Sequence, residues 1–288
     1  MTRQFTVIAG GALMLATAPA FAQAPPDPPK VLRIFRADVK PGKEFAFERV
    51  GVNYSRAFTK GKYPVNYLGM MAVAGPTEAW FIEGHDSYDS IDKAESYVGR
   101  NATLRTELSA LEPQGGDLST GGRTVLLSYR PDLSYHPSQF MSTLPKMRCM
   151  LVEIFRVRPG HDPDFSELAR TVIAANEKAG IDESVVIYQL TAGGLGGTYM
   201  VFVGMPSLKF MDDTPTRSAA MMRAMSDTKK FFRVLGEAVL NTETLVFSFS
   251  PKMSYVSKDF AGVDPAFWNP ASPKPVAVKS GGKAGTGK

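Results

Sequence analysis

The sequence predicts an α+β protein made of two tandem βαββαβ units whose sheets pack against each other. Three internal matches carry that expectation. RPDLSY at 130–135 and SPKMSY at 250–255 lie 120 positions apart, as do WFIEG at 80–84 and MVFVG at 200–204. VKPG at 39–42 recurs 118 positions later as VRPG at 157–160, each closing an apolar run. Two copies of roughly 105 residues read as a duplicated domain, because solenoid units of about 20–50 residues come in three or more copies.

The first strand, VLRIFRADV at 31–39, is rich in β-formers and stops at the Pro41-Gly42 turn. Phe47, Val50, Gly51, Tyr54 and Phe58 then follow at helical spacing, with Glu48, Arg49 and Arg56 between them. The second copy repeats this stripe with Phe165, Leu168, Ala169, Val172 and Ala175. Two strands around a tight turn come next: 65–74 and 79–83 flank Gly75-Pro76, and 185–191 and 199–203 flank the glycines at 193–197. Second helical regions are expected near 90–111 and 210–240, the latter reset by Pro215. Final strands at 124–129 and 243–249 stop at Pro131 and Pro251. The order β-α-β-β-α-β is the ferredoxin-like, split βαβ arrangement, with two helices on one face of an antiparallel sheet. Strands such as MLVEIFRV are apolar on both parities, so the second face is expected to be covered by the other sheet.

The ends carry their own signals. Arg3, the apolar or small residues at 7–18 and Ala20-Phe21-Ala22 form a signal-peptide pattern over 1–22, predicting export to the periplasm or beyond, with cleavage after Ala22. The apolar stretch is shorter than the roughly 20 residues that span a bilayer, so no stable membrane anchor is expected. Residues 23–30 read as a stiff Pro-rich linker and 137–148 as a second linker. Residues 257–288 read as a disordered basic tail in which Phe260, Phe267 and Trp268 offer a route back onto the body. The single Cys149 has no partner in the chain and opens the apolar run CMLVEIF, as a small buried hydrophobe would.

The net charge of +5 is concentrated at the ends: Arg3 supplies one positive charge, and five lysines against two aspartates after residue 256 supply three. The folded part is therefore nearly neutral, and no basic stripe supports binding of nucleic acid.

The strand, VKPGKEFAFE at 39–48 and the amphipathic helix, set in a βαββαβ unit paired with a second copy, resemble the dimeric α+β barrel superfamily. The strand-PG-helix opening is similar to NIPSNAP-type domains. The resemblance covers 31–136 and 149–256. It implies that a barrel usually built by two subunits closes within one chain, giving a monomer with an intramolecular pseudo-dimer. It also implies a cavity between sheet and helices, which relatives use for cofactor-free oxygenation, haem chemistry, lactone isomerisation or ligand binding. The fold alone does not choose among these. Relatives that degrade haem use an Asn on the first strand with a Trp and a His. Here the first strands lack Asn, and Trp80 and His85 are spaced differently, so that activity is not carried over and no cofactor is expected.

The residues themselves offer a short set of candidates. Arg33 and Glu153 are charges inside apolar strands, on the same parity in the two copies, and such charges are normally paired. Each suits a structural ion pair as well as a ligand. Tyr67, Trp80 and Tyr188 suit an aromatic pocket or plain core packing. His85 ends a strand, where it could transfer protons or simply sit in solvent, and Glu153 is the second candidate for proton transfer. No histidine has ligands at metal-binding spacing beyond the weak His161-Asp162 pair, so no metal is expected. GGLGG at 193–197 lies in a hairpin, which makes it a flexible turn and not a phosphate loop, and no GxSxG elbow is present. RPDLSY and SPKMSY suit either a pocket rim or a packed strand end.

The function expected from these residues is binding of a small apolar or aromatic molecule between sheet and helices. The alternatives are a cofactor-independent oxygenase or isomerase and a structural or partner-binding module.

Overall fold

The computed structural model describes residues 27–269, so the expected signal peptide and the far end of the tail lie outside the described residues. Strand β1 (Val31–Val39) leads through the Gly42 turn, where φ is +77°, into helix α1 (Glu44–Gly61). Strands β2 (Tyr67–Ala74) and β3 (Glu78–His85) form a hairpin. The expected single helix near 90–111 is two, α2 (Tyr88–Arg100) and α3 (Ala102–Leu118). The break falls at Asn101, whose side chain accepts from the Leu104 amide and so starts a new helix. Strand β4 (Ser119–Tyr129) ends the first half and begins five residues earlier than its apolar run suggested.

The second half follows the same order. It comprises β5 (Cys149–Val157), α5 (Asp162–Ala179), β6 (Val185–Ala192), β7 (Thr198–Met205), α6 (Thr214–Ala224), α7 (Thr228–Ala238) and β8 (Val239–Phe249). Helix α5 stops at Gly180, which takes the left-handed conformation that ends helices. Pro215 sits in the first turn of α6, where its missing N–H costs nothing.

All eight strands close into one antiparallel barrel in the order β1-β3-β2-β8-β5-β7-β6-β4. Each half contributes four adjacent strands, and the halves join edge to edge at two seams, β2–β8 and β4–β6. Inward residues such as Ile34, Met70, Leu127, Val152 and Phe247 fill the barrel, and outward residues meet the helices. Both strand faces are therefore covered, as the apolar runs on both parities required.

RPDLSY and SPKMSY are clasps across the seams. Ser254 Oγ accepts from the Gly69 amide of β2 at 2.9 Å, and Ser134 Oγ accepts from the Ile187 amide of β6 at 3.0 Å. Tyr255 donates to the Tyr63 carbonyl and Tyr135 to the Ile181 carbonyl, each reaching the other half beyond its helix.

Three stretches expected to be open chain are packed. Residues 137–148 include helix α4 (Pro137–Thr143), with Phe140 and Leu144 buried. Pro29, in the expected 23–30 linker, accepts a hydrogen bond from Tyr188 at 2.8 Å. The start of the expected tail forms α8 (Lys258–Val263) and α9 (Pro265–Trp268). Trp268 is buried and donates to the Pro145 carbonyl, while Arg148 pairs with Asp264. A few large apolar side chains outweigh the polar average of these segments. Cys149 is a buried free thiol.

Candidate functional site

The outer barrel face and the helices enclose one cavity in each half. The first, about 630 Å³, has β1, β3 and β4 as its floor and α1 and α3 as its roof. Phe35, Phe47, Phe58 and Phe81 supply much of its wall. The second, about 460 Å³, lies between β5, β6, β7 and helices α5, α6 and α7. Both sizes suit a small organic molecule.

The polar end of the first cavity is a network built on Arg33. Its Nε donates to Glu83 Oε2 at 2.7 Å, Nη2 donates to the Tyr63 hydroxyl at 3.1 Å, and Nη1 pairs with Glu95 of α2. The strand register places Arg33 directly opposite Glu83. Burial pushes the Glu83 carboxyl up, but hydrogen bonds from His85 and Arg33 and the Arg33 charge outweigh it, holding the group below the ordinary carboxylate range. Burial alone would lower the Arg33 guanidinium, and Glu83 reverses the sign, so its proton is held more tightly than usual.

Tyr67 stands apart from this network. Its ring packs edge-on against Phe58 and Phe81, and only 4% of the residue is exposed. Its buried hydroxyl meets no hydrogen-bond partner among the described residues. The nearby Ser55 hydroxyl donates to the Ser254 carbonyl and partly offsets the shift of the Tyr67 phenol, without reaching hydrogen-bond geometry with it. Burial, then the Glu83 charge, pushes the Tyr67 phenol far above its ordinary value, so it remains a hydrogen-bond donor.

The second cavity has a different polar group in a different place. Leu151 and Val203 face each other where Arg33 and Glu83 do in the first half. Glu153 projects one pleat further along β5, beside Thr244 and Val201. Burial first, and the charge of Glu183 second, hold its carboxyl above the ordinary range.

The six candidates named from sequence therefore do not converge. Arg33 and Tyr67 line the first cavity and Glu153 the second. Trp80 faces the barrel interior, fully buried, over Arg36 and donating to Glu78. Tyr188 is also interior and borders a smaller apolar hollow of about 190 Å³ at the barrel mouth, along with Leu144 and Phe260. His85 is not a solvated loop residue: it is 3% exposed, with Nδ1 bonded to Ser90 Oγ at 3.1 Å and Nε2 to Glu83 at 3.3 Å. None of the three histidines lines either cavity. Among the described residues no group of three His, Cys, Asp or Glu is placed to hold a metal, and no helix is long and apolar enough to cross a membrane.

Sequence reasoning missed Glu83, Tyr63 and Phe35. Glu83 carries the signal that singled out Glu153, a carboxylate within an apolar strand, in WFIEG.

Fold and cavities together define a single-chain α+β barrel with a small-molecule-sized cavity in each half. Neither a family model nor a curated protein matches the chain. Among solved structures it is similar to a candidate monooxygenase from Fusobacterium nucleatum, at 12% identity, 77% of this chain, 93% of that one and TM-score 0.48. An anthrone oxidase-like protein matches at 10% identity over 79% and 94% of the two chains, with TM-score 0.44. Chlorite dismutase from Candidatus Nitrospira defluvii, in complex with imidazole, matches at 12% over 78% and 92%, also with TM-score 0.44. Scores at this level say nothing about activity, and the barrel rests on its own strand register.

Proposed function

We propose that the protein binds a small aromatic or otherwise apolar molecule carrying an acceptor oxygen, held in the first cavity between the sheet and helix α1. The observation that carries this reading is that Tyr67, whose buried hydroxyl is orphaned, borders a cavity lined by phenylalanines. A buried hydroxyl with no partner costs about 1–3 kcal/mol, which a ligand oxygen would recover. Arg33 is committed to Glu83, Glu95 and Tyr63, so its part is to fix the cavity's polar end. The matching strand order of the halves supports a tandem duplication within the dimeric α+β barrel superfamily, with the NIPSNAP-like opening as its nearest sequence parallel. Closure of the barrel within one chain supports a monomer. The pattern at residues 1–22 supports export.

The test is calorimetric titration with 2-acetylnaphthalene and with naphthalene, its counterpart lacking the oxygen. The ketone is expected to bind at least tenfold more tightly than the hydrocarbon, and Tyr67→Phe is expected to abolish that preference while leaving folding intact. Equal binding of the two probes, no binding of either, or a preference that survives Tyr67→Phe would overturn the reading.

A further inference from the structure

The second cavity contains a carboxyl that no described residue answers. Glu153 lies midway along β5 on the cavity floor, among Leu151, Phe155, Val201 and Val203, with Leu168 and Val172 of α5 above. No hydrogen bond or ion pair from the described residues reaches its carboxylate, and burial with the Glu183 charge disfavours the ionised form. The other ionisable groups facing this cavity are Glu183, Arg217 and Tyr135. Arg217 is engaged by Glu183, donates to the Phe210 carbonyl at 3.0 Å and stacks 4.0 Å over the Phe210 ring. The Tyr135 hydroxyl is committed to the Ile181 carbonyl at 3.1 Å. With Glu183 and Arg217 cancelling, an ionised Glu153 leaves the cavity with one net negative charge.

Glu153 is half-buried, and a carboxylate that loses part of its water to an apolar cavity without gaining a partner is disfavoured, whereas the same carboxylate against an organic cation is not. The first cavity answers its carboxylate internally, because Glu83 meets Arg33. In the second, the positions of that pair are Leu151 and Val203, and no described side chain supplies the matching positive charge. We propose that the second cavity is a separate site for an organic amine, its ammonium group on Glu153 and its aromatic or aliphatic body against the side chains of α5 and β7. This site stands independently of the reading given for the first cavity.

Tryptamine is a suitable probe, with tryptophol and indole-3-propionate as its neutral and anionic counterparts of similar shape. Calorimetry of the full chain near neutral pH is expected to show tryptamine binding at least tenfold more tightly than either counterpart. Glu153→Gln is expected to lower tryptamine affinity at least tenfold, with a melting curve confirming that the variant folds. Acidification through the Glu153 titration is expected to weaken binding, because the protonated carboxyl has no charge with which to attract the ammonium. Tyr67→Phe is expected to leave tryptamine binding unchanged, which separates this site from the first. Equal affinity for tryptamine and tryptophol, full affinity in Glu153→Gln, or no tryptamine binding at millimolar concentration would overturn the proposal, and the comparison of the three indoles does so without any variant.

Discussion

Ser254 and Ser134 occupy equivalent places in the two halves, and each hydroxyl pins the segment after its own last strand to the other half. Ser254 Oγ donates to the Ser250 carbonyl at 2.8 Å while accepting from the Gly69 amide, and Ser134 Oγ donates to the Arg130 carbonyl at 2.8 Å while accepting from the Ile187 amide. The two bonds close the barrel at opposite seams.

Ser254 is 6% exposed, so its loss would strand the Gly69 amide in a dry setting. Ser254→Ala is expected to cost about 1–3 kcal/mol of stability, the range for a buried donor left without a partner. Ser134 is less buried, so water is better able to replace its oxygen and Ser134→Ala is expected to cost less. Urea midpoints for the two variants give the comparison; equal, negligible losses would mean that the clasps add nothing to closure.

Gly193 limits the β6–β7 hairpin more tightly than a flexible turn would. Its φ is +85°, and a Cβ there would stand 2.1 Å from the Thr124 carbonyl oxygen of β4, across the second seam. Since backbone cannot swing aside as a side chain can, Gly193→Ala is expected to cost more than about 2 kcal/mol. Gly196, in the same GGLGG run, has nothing within 4 Å of a Cβ and no positive φ. Gly196→Ala is expected to stay within about 0.5 kcal/mol of the wild type. Thermal melts of the two variants side by side test the contrast, which disappears if the whole run is merely loose.

Element order, both PG turns and the helical stripes were legible because they repeat and because each follows from local periodicity. Strand alternation also separates two of the candidates: Trp80 and His85 are five apart, hence on opposite faces of one strand, and cannot share a cavity. Arg33 and Glu153 share a parity, yet the two halves turn their outer faces to different sets of helices, so a common parity does not bring them together. The interior pair of Arg36 with Glu78, bonded at 2.8 and 3.0 Å beneath Trp80, depends on the β1–β3 register and on closure of the barrel. Packing of 257–269 was signalled only by Phe260, Phe267 and Trp268, against the basic, polar average of the segment that reads as disordered.

Glu83 and Glu153 should give the stability–pH profile opposite contributions, and the signs follow from their surroundings. The folded-state value of Glu83 is depressed, so its stabilisation is present above the ordinary carboxylate value of 4.5 and is lost as pH falls through the depressed value. Glu153 is raised, so the folded state gains from it below the ordinary value and loses that gain as pH rises through the folded value. At neutral pH the first carboxylate supports the fold and the second opposes it. Glu153→Gln is therefore expected to raise stability near neutral pH, by up to about 1 kcal/mol for relieving a half-buried charge without a partner. Glu83→Gln is expected to destabilise, because it leaves the Arg33 guanidinium, 19% exposed at its side chain, with less of its counter-charge. Urea unfolding of the wild type and both variants from about pH 3 to pH 8 separates the two contributions. Loss of stability in Glu153→Gln near neutral pH would mean that the ionised carboxylate has a partner within the protein, and the argument for an unanswered charge in the second cavity would fail with it.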